Sequence, residues 1–155
     1  MPQQPIANVK ALSVLHFSLF IGQVMFAFMA GYLIYSTSFE PVITNDEQVL
    51  VLGAGVIGLS LTLVIAAFVL FKKKVEKISL NPAVVTEKLT AYRASSIILW
   101  AMLEVPTILT IVVYLLTGNE VLLIVVGVLM LVFYYAKPRI SKTAQDLGLT
   151  EEEIN

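Results

Sequence analysis

Hydrophobic residues come in long blocks rather than in short alternations. With few interruptions they run from Ala11 to Tyr35, from Val49 to Phe71, from Ala94 to Leu116 and from Val121 to Ala136. A helix rising 1.5 Å per residue needs about 20 apolar residues to cross a ~30 Å hydrocarbon core. The first three blocks meet that length. The fourth is at the lower limit, with Tyr134 and Tyr135 as interfacial anchors. The expected fold is all-α: a polytopic membrane protein with a four-transmembrane-helix bundle over residues 1–136 and a short cytoplasmic helical tail over 137–155. The first block is too long for a signal peptide. Only Lys10 precedes it and no small-residue cleavage motif follows, so it is expected to remain as a span.

The polar segments between the blocks set an orientation. All ten Lys and Arg fall on one side: Lys10 before the first span, six between Lys72 and Arg93, and Lys137, Arg139 and Lys142 in the tail. The loop Ser36–Gln48 carries Glu40, Asp46 and Glu47 and no basic residue, and neither does the turn Thr117–Glu120. Basic loops stay in the cytoplasm, so both termini are expected there. The Lys72-Lys73-Lys74 run reads as a positive-inside anchor able to hold anionic headgroups. Within the polar segments, Asn81-Pro82 predicts a turn or helix start, with a helix from Pro82 running through Arg93 into the third span. In the tail, Ser141 is expected to cap one turn, Thr150 and Glu153 match a capping box, and Gly148 separates the two.

Composition narrows the function classes. Of 155 residues, 58% are hydrophobic and 14% charged, against about 25% charged in a soluble domain; mean hydropathy is +0.88. With no cysteine there is no disulfide framework, thiolate metal site or cysteine nucleophile. A net charge of −1 gives no ground for a nucleic-acid partner. No catalytic triad, phosphate loop or paired metal ligands can be traced, so no enzyme activity, cofactor or metal is expected. GAGVIG at Gly53–Gly58 superficially resembles a dinucleotide fingerprint, but it lies inside a span and not after a strand.

Lipid is as apolar as leucine, so small residues and polar pairs drive helices together in a bilayer. The first span has His16, Gln23, Ala27 and Ala30 on one face, the second Gly55, Gly58, Thr62 and Ala66, and the third Ala101, Glu104 and Thr107. These three stripes are expected to face one another. The fourth span, with Gly127 as its small residue, is expected at the periphery or against another subunit. Counted from the basic side, Glu104 and Gln23 lie ~15–18 Å deep, near the midplane, and His16 within ~8 Å of the surface.

Glu104 is the residue that most demands an explanation. A charge at the bilayer centre costs about 2.5–3.5 kcal/mol on insertion scales, which makes such a residue a candidate site. A neutral acid donates one hydrogen bond and accepts another, which suits the amide of Gln23. Pro106 removes an N–H and crowds the Met102 carbonyl, predicting a helix kink and a polar notch beside the acid. The candidate site is thus Glu104, Gln23, Thr62, Thr107 and His16, with the kink at Pro106. His16 has no second histidine beside it and reads as a packed or interfacial residue; Trp100 reads as a packing residue.

Two resemblances follow. AYRASSIILWAMLEVPTI and the tail KPRISKTAQDLGLTEEE, spanning Ala91 to Glu153, resemble a group of small four-span bacterial membrane proteins of unassigned function. This implies a bacterial inner (plasma) membrane location and carries no mechanism. GAGVIG, LNP at Leu80–Pro82 and AMLEVP around Glu104 resemble the rotor proteolipid of rotary ATPases, which implies proton or cation translocation through Glu104. Against that pattern, the chain has only eight glycines, and its second span lacks the long glycine stripe of the rotor helix. The expected function is a non-enzymatic accessory or scaffold component that self-associates or binds another membrane protein in the lipid bilayer. The alternative is ion translocation.

Overall fold

The computed structural model describes residues 5–36 and 39–154, and all its regular structure is helical: α1 (Pro5–Tyr35), α2 (Asp46–Leu80), α3 (Val85–Thr117), α4 (Val121–Tyr135), α5 (Ile140–Leu147) and α6 (Glu151–Ile154). Thr37, Ser38 and the side chain of Lys10, which entered the loop and charge reading above, lie outside the described residues. Three helices, α1 to α3, are long and apolar enough to cross a membrane, and α4 with α5 provides a fourth candidate bent by 70°. The chain is an all-α helical bundle membrane protein.

Local chemistry explains where the helices begin and end. Asn45 caps α2, its Oδ1 accepting from the N–H groups of Glu47 and Gln48 at 3.1 Å each, and Asp46 and Glu47 complement the positive end of the helix. Helix α3 stops at Gly118, whose φ of 65° lies in the left-handed region. The ring of Pro41 sits so close that a Cβ at position 118 would lie 2.8 Å from its Cγ. The expected start of α3 at Pro82 is corrected: residues 81–84 form a connection and the helix begins at Val85, since Pro82 follows the α2 cap at Asn81. Ser141 caps nothing. Arg139 occupies the N-cap of α5, and Ser141 lies inside the first turn. The capping box is present: Thr150 N donates to Glu153 Oε2 at 2.8 Å, and Glu153 N to Thr150 Oγ1 at 3.3 Å.

Helix α3 is the spine, and it runs through three stacked apolar clusters. At the basic end, Leu89 and Tyr92 pack with Val75 of α2, Ala144 and Leu147 of α5 and Ile154. In the middle, Leu99, Trp100 and Leu103 pack with Leu12 of α1, Ala67 of α2 and Phe133 of α4. At the far end, Ile111 and Tyr114 pack with Ala30, Val56, Leu122 and Val126. Helices α2 and α3, of 35 and 33 residues, are ~50 Å long, well beyond a ~30 Å core. Their overhang carries the Lys72–Arg93 charges, and the bend after α4 folds α5 back onto it. The expectation that α4 lies at the periphery is corrected: it packs on α3 and α1. It buries Leu122, Val126, Leu129 and Phe133 against α3 and α1, because large apolar side chains fill the space that a glycine stripe would close.

Candidate functional site

Between the middle and far clusters lies a layer of polar side chains. Along α1, Gln23 falls between Phe20 of the middle cluster and Ala27 of the far one. Along α2, Ser60 falls between Val64 and Val56, and along α3 Thr107 and Thr110 occupy the stretch from Leu103 to Ile111. Gln23, Ser60, Thr107 and Thr110 are all at most 2% exposed. Helix α4 contributes apolar residues alone at this level.

Hydroxyl hydrogen bonds run through the layer. Ser60 Oγ and Thr110 Oγ1 are 3.3 Å apart, joining α2 to α3. Thr110 donates to the Pro106 carbonyl at 2.7 Å and Thr107 to the Leu103 carbonyl at 3.3 Å. These back-bonds satisfy the hydroxyls inside their own helix. Pro106 is buried and lies within α3, which continues through it.

Gln23 does not bond Glu104. Among the described residues neither its Nε2 nor its Oε1 has a partner, although both are buried. Such an amide costs about 1–3 kcal/mol by mutational measures. Glu104 is half-buried; its carboxylate takes no hydrogen bond or ion pair among the described residues. Exposed Ala101, Val105 and Ile108 flank it on the helix surface. The carboxyl therefore stands at the rim of the polar layer, open to whatever lies beside α3.

Thr62 is a correction. It is exposed on the outside of α2, its hydroxyl donating to the Gly58 carbonyl at 2.9 Å. Gly55 and Gly58 are exposed with it, while Gly53, Val56, Ser60 and Ala67 face inward. Both faces of α2 offer small residues; the inward one also offers a hydroxyl for Thr110, a bond the outward face lacks. Ser60 and Thr110 were thus missed. The available signal was a serine in register with Gly53 and Val56, opposite a threonine one turn past Pro106.

His16 belongs to the middle cluster rather than to this layer. Its Nε2 lies 2.9 Å from the Phe133 carbonyl oxygen, its ring stacks on Phe133 with centroids 4.7 Å apart, and it meets Trp100 edge-on at 5.0 Å. Trp100 donates its indole N–H to the Ala136 carbonyl at 3.1 Å. Both aromatic side chains therefore tie the end of α4 to α1 and α3. Among the described residues no group of three His, Asp or Glu side chains is placed to hold a metal ion. Comparison with protein-family models, curated proteins and solved structures finds no match to this chain.

Proposed function

We propose that the protein is a small non-enzymatic membrane component, an accessory or scaffold subunit that pairs laterally with another transmembrane helix along the α3 edge bearing Glu104. One observation carries this reading: a carboxyl at membrane depth with no partner among the described residues, half-buried beside exposed Ala101, Val105 and Ile108. Leaving such a group against lipid costs about 2.5–3.5 kcal/mol. A donor from a neighbouring helix offsets that cost, and the small Ala101 allows close approach. The neighbour is a second copy or another membrane protein's helix.

The chain has no cysteine, which makes single-cysteine crosslinking clean. Ala101→Cys, Val105→Cys and Ile108→Cys, tested in native membranes, are expected to give adducts that Glu104→Leu abolishes, while Leu61→Cys on exposed α2 gives none. Equal adducts at all four positions, or none at any, would reject lateral pairing at this edge.

A second reading rests on the same exposure: a reachable acid beside Pro106 is what a proton or cation carrier needs. Carbodiimide labelling of Glu104 in liposomes between pH 5 and 9, with Glu104→Gln as control, separates the two. Labelling with a defined pH midpoint and protection by one cation supports translocation; no labelling supports the sealed contact. The distribution of Lys and Arg supports four spans with both termini cytoplasmic; the bacterial inner membrane is proposed from the resemblance of Ala91–Glu153 alone. Thr44→Cys should then react with an impermeant maleimide in intact cells and Lys73→Cys should not.

A further inference from the structure

Past the last turn of α4 the chain bends by 70° into α5. Inside the bend is an open cleft of about 540 Å³ whose walls carry Lys137, Arg139 and Lys142. None of these three cations is in an ion pair among the described residues. Ser141 and Gln145 add hydrogen-bond donors to the same walls. The one carboxylate there, Asp146, is held from the α3 side by the Tyr92 hydroxyl at 3.0 Å. The first intrahelical bond of α5 runs from Thr143 N to the Arg139 carbonyl. The amides of residues 140–142 thus precede the hydrogen-bonded ladder and add a weak positive field.

The position of the cleft limits what it can meet. Tyr134 and Tyr135, 48% and 73% exposed, end the apolar stretch of α4, as tyrosines do at the headgroup level. The cleft opens there, with Tyr135 in its wall. Lys72, Lys73 and Lys74 are different: consecutive on one helix, they point about 100° apart and cannot converge on one anion.

We propose that this cleft binds the phosphate of an anionic phospholipid headgroup in the leaflet where α4 ends. The inference is independent of any role for Glu104. Three cations line one cleft, the guanidinium of Arg139 can offer a phosphate a two-pronged contact, and each basic residue near the surface favours anionic lipid by about fivefold.

The test uses the full chain in a neutral detergent, titrated with short-chain phosphatidylglycerol, short-chain phosphatidylcholine or inorganic phosphate. Binding is followed by native mass spectrometry and by the shift in melting temperature. Saturable binding of one phosphatidylglycerol per chain is expected, with an upward melting shift that phosphatidylcholine does not produce. Lys137→Gln/Arg139→Gln/Lys142→Gln should weaken it on the order of a hundredfold. Those side chains make no bond among the described residues, so the variant should keep its helical circular dichroism. If it does not fold, the single variants, each expected to lose about fivefold, take its place. Lys72→Gln/Lys73→Gln/Lys74→Gln should bind as the unaltered chain does. Equal loss in both triple variants would mean diffuse charge and overturn the site. So would equal binding of phosphatidylcholine. Inorganic phosphate that saturates the cleft and displaces the lipid at equal concentration would make the ligand a soluble anion and overturn the lipid assignment.

Discussion

The indole N–H of Trp100 meets the carbonyl of Ala136 at 3.1 Å, binding the middle of α3 to the point where α4 ends and the chain bends. Trp100 is 1% exposed, so this bond forms away from water. Trp100→Phe keeps most of the apolar bulk and loses the donor, and should destabilise by about 1 kcal/mol. Trp100→Ala also opens a cavity and should cost about 3–5 kcal/mol. Denaturing-detergent titration followed by circular dichroism checks both; no loss in Trp100→Phe would show that the hydrogen bond contributes nothing.

Gln23 offers a prediction of opposite sign. Its amide is buried with no partner on either atom among the described residues, so Gln23→Leu should stabilise the fold, by about 1–3 kcal/mol. The same detergent titration reads it. A loss of stability would mean that the amide is satisfied in the membrane by a group that this chain does not supply.

Two glycines with nearly equal φ should respond unequally. At Gly118, φ is 65° and a Cβ would meet the Pro41 ring at 2.8 Å; at Gly148, φ is 64° and nothing lies within 4 Å. Gly148→Ala should cost about 1–2 kcal/mol, the penalty of the left-handed conformation alone. Gly118→Ala should cost more, and adding Pro41→Ala should recover only the excess. Melting temperatures of the three variants decide this.

Acid should loosen the tail first at Glu153. The Thr150 backbone N–H and hydroxyl hold its carboxyl below the ordinary carboxylate range. A group depressed in the folded state stabilises above its unfolded value, ~4.3 for Glu, and that contribution is lost as pH falls through the lowered folded value. NMR titration of Glu153 should show the depression, and Thr150→Val, which keeps the backbone N–H, should remove only the smaller share that the hydroxyl supplies. Amide exchange at residues 151–154 should quicken below pH 4 in the unaltered chain.

Much of the architecture was legible in one dimension. Whether a segment can cross a bilayer depends on its length and apolarity, which is why the first three blocks coincide with α1, α2 and α3. Caps are equally local: Thr150 and Glu153 are three residues apart and found each other as expected. Prolines and isolated serines misled where a neighbour in space decided. Ser141 lost the cap to the bend at Arg139, and Pro82 could not open a helix while Asn81 was closing the previous one.

The candidate site was half legible. His16, Gln23 and Thr107 face inward, as spacing along α1 and α3 predicted. Thr62 does not, and Ser60 stands in the layer instead, at the level where Glu104 remains at the rim without the Gln23 partner it was given. The amino-acid sequence by itself determined the helical spans, the concentration of positive charge on one side and the local caps, since each depends on residues adjacent in the chain. Only the tertiary structure decided which face of α2 turned inward, how α4 filled the bundle and which polar groups met. Lipid and protein interior are equally apolar, so hydrophobicity carries no preference between inside and outside there. The choice falls to contacts between distant residues such as Ser60 and Thr110, and Trp100 and Ala136.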